Sequence, residues 1–400
     1  MTPLAITHFT LTTALGAGCA PNAAALRQGR SGLQPCRFLD VKLPGWVGEV
    51  GGLDGSALPA ALADFDCRNN CLAWLGLQQD GFADAVARAR ARWGAHRVAV
   101  LMVTSTSGIL QTELAYRHRG SEGPLPADFH YAQTHNTGSL ALFAAQALGL
   151  RGPAWVVSTA CSSSAKVFAA AQRLIEAGWA DAAVVGGVDS LCLTTLYGFN
   201  SLELFSPEIC RPWDARRSGL SLGEAAAYAL LQRGEGPGDA PAGEPAAGWL
   251  LGTGESSDGY HMSSPHPEGV GAIAAMRQAL DSAGCEAAAV DYINLHGTAT
   301  PNNDAMEDRA VRAVFGDAVP CSSTKGATGH TLGAAGAVEA AVALLALQQG
   351  FIPGGLNCGE RDPALGANYV TESRAAPLRR VLSNSFGFGG SNASLLLGAA

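Results

Sequence analysis

Three short segments carry side chains able to do nucleophilic or acid–base chemistry, and a fourth is built to bend close to them. In Thr159-Ala160-Cys161-Ser162-Ser163-Ser164 a thiol stands where an apolar run, Ala154 to Thr159, meets a helical pattern, Ser163 to Gly178. The free N–H groups and positive dipole end of a helix favour a thiolate there without a dedicated base, and a sharp strand-to-helix turn projects the side chain. In Asn294-Leu295-His296-Gly297-Thr298-Ala299-Thr300 the histidine ends a short strand, Tyr292 to Leu295, at the edge where open α/β sheets place ligands. In Ser323-Thr324-Lys325-Gly326-Ala327-Thr328-Gly329-His330 a lysine and a second imidazole occupy a glycine-rich turn ahead of a helix, Ala337 to Gln349. The glycines of Asn384-Ser385-Phe386-Gly387-Phe388-Gly389-Gly390-Ser391-Asn392 let backbone N–H groups approach a reacting atom.

Each segment also has an inert explanation. Cys161 could pack between sheet and helix like the other nine cysteines, His296 could be a satisfied core histidine, and the last segment could be an ordinary loop. Asp304 and Glu307 could merely favour a helix N-terminus. A phosphate cradle around Lys325 is excluded, because the spacing GxxxxGK[ST] is absent. A lysine in so apolar a neighbourhood needs an anionic partner, and Glu307 is the expected one.

The elements that must position these groups follow an α/β grammar. Arg97–Thr104, Ala154–Thr159, Asp181–Gly186 and Ala225–Leu231 are expected strands, and Asn69–Arg92 and Ser163–Gly178 expected helices. A Gly- and Pro-rich stretch, Gly234 to Gly248, reads as a linker. Beyond it the same grammar recurs, ending in a strand at Ala393–Leu397. Residues 158–178 and 319–350 each run strand, Cys-Ser-Ser, small-residue helix, Gly, which points to a duplicated unit.

Composition narrows the function classes. The 400 residues carry a net charge of −8, which argues against a nucleic-acid footprint. With 48% hydrophobic and 15% charged residues the chain can bury a large core. Ten scattered cysteines without CxxC or zinc spacing fit reduced thiols of a cytoplasmic protein, and no metal or cofactor is expected. The N-terminal residues lack a signal-peptide pattern, and the most apolar run, Ala334–Leu347, is broken by Glu339 and too short to span a bilayer.

The ordered series Cys161 in TACSSS, His296 in HGTAT, Lys325 and His330 in KGATGH, and Phe388 in NSFGFGGSN closely resembles β-ketoacyl-acyl-carrier-protein synthases of the I/II type, condensing enzymes of the thiolase superfamily. Arg211-Pro212-Trp213-Asp214, Arg217-Ser218-Gly219 and Leu222-Gly223-Glu224 add to it, and the resemblance runs over nearly the whole chain. It implies a five-layered α-β-α-β-α fold of two similar halves, residues 1–235 with the nucleophile and 249–400 with both histidines, Lys325 and the glycine loop. It implies acylation of Cys161 by an acyl carrier protein, then decarboxylation of malonyl-carrier and condensation. His296 and His330 would steady the enolate, the N–H groups of Cys161 and Phe388 the tetrahedral intermediate, and Lys325 bridged to Glu307 would organise His330. Phe388 would gate the acyl pocket, and Phe386, Thr298 and Thr300 would contact substrate. A dimer is implied, either of identical subunits or with a paralogue.

Two features depart from fatty-acid members of that family. Around Asp64–Asn70, where relatives offer a carrier protein several basic residues, only Arg68 is basic, and Glu203 stands where some relatives carry Arg. A specialised polyene or polyketide ketosynthase is therefore the runner-up, and the impression left by CSSSAK points to an aryl-polyene-type pathway. A non-catalytic partner subunit is disfavoured by the intact Cys161, His296 and His330. A cysteine hydrolase would need a histidine beside Cys161 as general base.

Overall fold

The computed structural model describes residues 2–119, 123–127, 129–234, 240–241 and 243–400. Of the expected linker 234–248, residues 235–239 and 242 lie outside the described residues.

Ten strands form the path of one eleven-stranded sheet: β1 Leu4–Thr13, β2 Val98–Val103, β3 Ala154–Val156, β4 Ala182–Asp189, β5 Ala225–Gln232, β6 Gly248–Ser257, β7 Tyr292–Asn294, β8 Cys321–Ser322, β9 Arg380–Gly387 and β10 Ser391–Gly398. Their spatial order is β3-β2-β4-β5-β1-β6-β10-β9-β7-β8. The first five strands and the last five thus share one order about the antiparallel β1–β6 junction. Pairing agrees strand for strand: β1–β5 and β5–β4 are antiparallel and β4–β2 and β2–β3 parallel, as are their counterparts five strands later. The duplication is architectural rather than a repeat of Cys-Ser-Ser, because Cys161 lies beyond the end of β3 whereas Cys321 lies on β8 itself.

The helices sort into layers by what they bury: α1 Arg68–Leu77, α2 Phe82–Trp93, α3 Ser139–Leu148, α4 Ser163–Glu176, α5 Leu193–Ser201, α6 Val270–Ala283, α7 Pro301–Phe315 and α8 Ala335–Gln349. Alternation along β2 explains the layering. Ala99, Leu101 and Val103 face a central core with α4 and α8, while Val98, Val100 and Met102 face an outer core with α1, α2 and α3. In the second half Ile293, Leu382 and Leu396 face α6 and α7. The result is the five-layered α-β-α-β-α thiolase-like fold. Helix α8, enclosed on all sides, is apolar all round except for Glu339, as its position demands. The segment Leu332–Gln349 is long and apolar enough to cross a membrane by composition, and 89% of it is buried inside the fold.

The expected helix Asn69–Arg92 is two helices. The chain breaks at Gln78–Gly81, where Asp80 and Gly81 take φ of +54° and +67°, and the Asp80 carboxylate accepts hydrogen bonds from Thr10 Oγ1 and Cys19 N. A tie to β1 outweighs the local helical pattern. The strand expected at Ala154–Thr159 stops at Val156, leaving Val157–Ala160 for the turn before Cys161.

Arg68, the one basic residue expected at a carrier surface, is committed inside the protein. Its Nε and Nη2 donate to the fully buried Glu224 at 2.6 and 2.9 Å, it pairs further with Glu49 and Asp54, and its guanidinium lies over the Phe38 ring at 5.2 Å. Glu224 also accepts from Val50 N and Leu191 N, so Arg68 holds a buried carboxylate that braces three segments. Arg68→Ala strands that charge and is expected to destabilise the fold by about 3–5 kcal/mol. Urea unfolding checks this: an unchanged midpoint contradicts the bracing role.

Candidate active site

The turn carrying Cys161 is held by its own hydroxyls. Ala160 adopts φ +54°, a conformation costly for a residue with a Cβ, and Ser163 Oγ compensates by accepting from Thr159 N and donating to Ala160 O. Helix α4 starts at Ser163, two residues past Cys161. Ser164 Oγ accepts from Ala337 N, which locks α4 to α8. The glycine loop approaches from β9. A Cβ on Gly387 would sit 2.9 Å from Thr159 O and 3.1 Å from Ser162 N, so only glycine lets this strand come so near the turn. That approach aims the Phe388 N–H at the Cys161 sulfur, while the Phe388 ring stacks on Phe199 of α5 at 5.8 Å.

His330 arrives from the other half. Its N–H donates to Ser221 O at 2.7 Å and its carbonyl accepts from Gly223 N at 3.0 Å, so the Leu222-Gly223-Glu224 motif is a clamp on this backbone. His330 Nε2 lies 3.0 Å from Cys161 Sγ, and Nδ1 has no partner among the described residues. The His296 ring meets the His330 ring edge-on at 5.4 Å. All three line one cavity of about 350 Å³, together with Thr298, Thr300, Phe386 and Phe388. Thr298 and Thr300 hydroxyls bond each other at 2.9 Å, and Phe386 packs 5.9 Å from the His296 ring.

The expected Lys325–Glu307 bridge is absent, and both residues do something else. Lys325 Nζ donates to the Glu339 carboxylate and to His296 O at 2.5 Å, and stands 3.5 Å from His296 Nδ1. It therefore organises His296 rather than His330. With a cation beside Nδ1, the proton of the neutral ring belongs on Nε2. Glu307 instead accepts the main-chain N–H groups of His296 and Gly297 at 2.8 and 2.7 Å, with Asn384 and Asn303 as further donors. It fixes the turn carrying the imidazole and does not line the cavity. Asp304 likewise accepts from Ala299 N and Trp213 N, which ties the Arg-Pro-Trp-Asp motif to the same turn.

Two positioning residues were not expected from the sequence. Glu339 interrupts an apolar run in the sequence, and a lone acid inside a buried helix must be paired; Lys325 pairs it. Asp189, at the end of β4, accepts from Ser105 N, Thr106 N, Thr106 Oγ1 and Ala334 N, joining the turn after β2 to the start of α8.

Electrostatics set the resting protonation states. Burial pushes the Cys161 thiol up to about 11, with Lys325 and the Phe388 N–H pulling the other way. Burial thus outweighs the expected helix-end stabilisation, and the resting group is a thiol with a proton acceptor, His330 Nε2, within reach. Burial first, and the charge of Lys325 second, hold both imidazoles well below the ordinary histidine value, so both are neutral. Neutral imidazoles can donate one hydrogen bond each to a developing anion, and a thiol facing an imidazole can attack a thioester.

Residues 70–236 match the β-ketoacyl synthase N-terminal domain and residues 247–359 the β-ketoacyl synthase C-terminal domain. The chain belongs to the β-ketoacyl synthase family. It is 41% identical over 260 residues to 3-oxoacyl-[acyl-carrier-protein] synthase 2 of Rhizobium meliloti, covering 62% of this chain and 61% of that one. It is 39% identical to the mitochondrial 3-oxoacyl-[acyl-carrier-protein] synthase of Arabidopsis thaliana, covering 62% and 57%. The matched region thus spans somewhat less than two thirds of these relatives. Among solved structures, the complex of a ketosynthase (ApeO) with its chain length factor (ApeC) from Xenorhabdus doucetiae contains a chain 40% identical, with TM-score 0.89, covering all of this chain and 98% of that one.

The state of the imidazoles is directly measurable. Side-chain ¹⁵N spectra of the resting protein at pH 6 are expected to show His296 and His330 neutral; an imidazolium signal from either contradicts the site electrostatics.

Proposed function

We propose that this chain is a 3-oxoacyl-[acyl-carrier-protein] synthase. The observation that carries the proposal is the convergence of Cys161, His296 and His330 on one cavity. In the first half-reaction the Cys161 sulfur attacks an acyl thioester and its proton passes to His330 Nε2, where it stays; the carrier sulfur leaves as a thiolate and takes a proton from solvent. The oxyanion formed is met by the N–H groups of Cys161 and Phe388. In the second, malonyl-carrier loses carbon dioxide, and the enolate oxygen is held by the Nε2–H groups of His296 and His330. The enolate carbon then attacks the Cys161 thioester, the C–S bond breaks, the sulfur takes its proton back from His330 Nε2, and a 3-oxoacyl chain longer by two carbons remains on the carrier. Thr298, Thr300 and Phe386 line the way taken by the second thioester, and Phe388, stacked on Phe199, closes the acyl side.

The two halves, 1–235 and 249–400, divide the labour, with the nucleophile in the first and the enolate donors in the second. Acyl carrier protein is the partner, and the protein works in the cytoplasm as a dimer. The free edge of β3, next to the nucleophile turn and bearing the exposed Trp155, is the surface through which two subunits would join. A second reading has support of its own: the partner could be a paralogue, as in the solved ketosynthase–chain length factor complex. On that reading the chain is the ketosynthase of a specialised polyene or polyketide pathway.

Half-reactions separate the roles. Intact-mass analysis after exposure to acyl-carrier thioesters is expected to show one acyl group on the wild type and none on Cys161→Ala. His296→Ala is expected to lower malonyl decarboxylation by about 10²–10³-fold, the loss typical of one oxyanion donor, while acyl loading persists. His330→Ala should slow both, because this ring touches the sulfur. Full decarboxylation in His296→Ala contradicts the assignment.

A further inference from the structure

The cavity opens between two exposed rims. On one stand Leu202, 51% exposed, and Glu203, which takes φ +58° and is itself exposed. On the other, Tyr260 and Met262 are 54% and 78% exposed, and Ser263 and Ser264 continue from them into the cavity wall. This second rim is built in: Met262 O accepts from Gly389 N at 2.7 Å, and Tyr260 packs edge-on against His266 at 5.0 Å.

The charge of this mouth is one-sided. Among the described residues its lining includes Glu203 and Asp258 but no lysine or arginine. Asp258 is already occupied, accepting from Asn392 Nδ2 at 2.7 Å and His266 N at 2.9 Å. The Glu203 carboxylate has neither a hydrogen bond nor an ion pair with a described residue. Arg68 is committed to Glu224, and the two imidazoles inside the cavity are neutral. A partner covering the mouth therefore meets apolar surface, the Asp258 carboxylate held by neutral donors, and the Glu203 carboxylate with no donor of its own. An acidic face laid over it would bring like charges together, which slows encounter and weakens the complex.

Resting on the synthase assignment above, we propose that the carrier protein served by this site docks with a basic side chain opposite Glu203 and apolar side chains over Leu202 and Met262. The arrangement selects against a wholly acidic docking helix. Selection is by repulsion as much as attraction, since an exposed pair contributes little affinity on its own while a mismatch is penalised.

Two probes test this: a malonyl-loaded acidic carrier protein of a bacterial fatty-acid system, and the same carrier with one docking-helix glutamate replaced by lysine. The readout is the ratio of their kcat/KM values in decarboxylative condensation, which cancels any change in the chemical step. Wild type is expected to prefer the lysine-bearing carrier by roughly three- to tenfold, less so as salt is raised. The ratio should fall toward one in Glu203→Gln and reverse in Glu203→Arg. A wild type that prefers the acidic carrier, or a ratio indifferent to Glu203→Arg, overturns the proposal. Malonyl-pantetheine, which has no carrier surface, is run alongside: if wild type fails to turn it over and both carriers as well, the synthase assignment itself is overturned, whatever the charge at the mouth.

Discussion

One ammonium group, buried where the two halves meet, sets much of the geometry of the candidate site. Lys325 is 2% exposed, and an isolated charge at that depth would not be tolerated. Glu339 supplies its counter-charge from within α8, and the remaining donors turn to the His296 backbone and ring. Because Glu339 sits in a helix enclosed between sheets, neither partner can relax toward water. The result is an imidazole whose protonation state and tautomer are set without any group of the reaction being used up.

Duplication explains how groups so far apart in the chain come together. In each half, the strand at the outer end of the path (β3, β8) leads to a helix of the central layer (α4, α8). Cys161 lies on the first of these connections, and Lys325 and His330 on the second. The two central helices are tied by the Ser164–Ala337 hydrogen bond, so the connections face each other across one cavity. The glycine loop and the turn carrying His296 close the remaining sides, the first held by main-chain hydrogen bonds to Met262 and Asp258 and the second by the Glu307 carboxylate.

How much of this was legible depended on what kind of information each contact carries. Cys161, His296 and His330 stood out because residue type, turn glycines and order along the chain are all local or sequential. The α/β grammar and the duplicated halves were visible for the same reason. The partner of Lys325 was not, because spacing says nothing about which acid folds against it. Glu307 lies near the motif in sequence but spends its oxygens on two main-chain N–H groups, while Glu339 reaches the lysine from inside a helix. The break at Asp80 was hidden because the stretch around it is helical in pattern, and the contact that interrupts it comes from β1. Two-residue strands such as β8 are too short to leave a periodic trace at all.

The ring of His330 is tethered through its main chain and by the sulfur it faces, with no described residue bonded to Nδ1. While Cys161 carries its proton, Nε2 is engaged with that thiol. Once the sulfur is esterified it has no proton to share and is a poor acceptor, so the same nitrogen is released toward the open cavity. In the proposed reaction, loading of Cys161 frees the group that the second thioester needs, and the order of arrivals is set by a single contact rather than by any moving part.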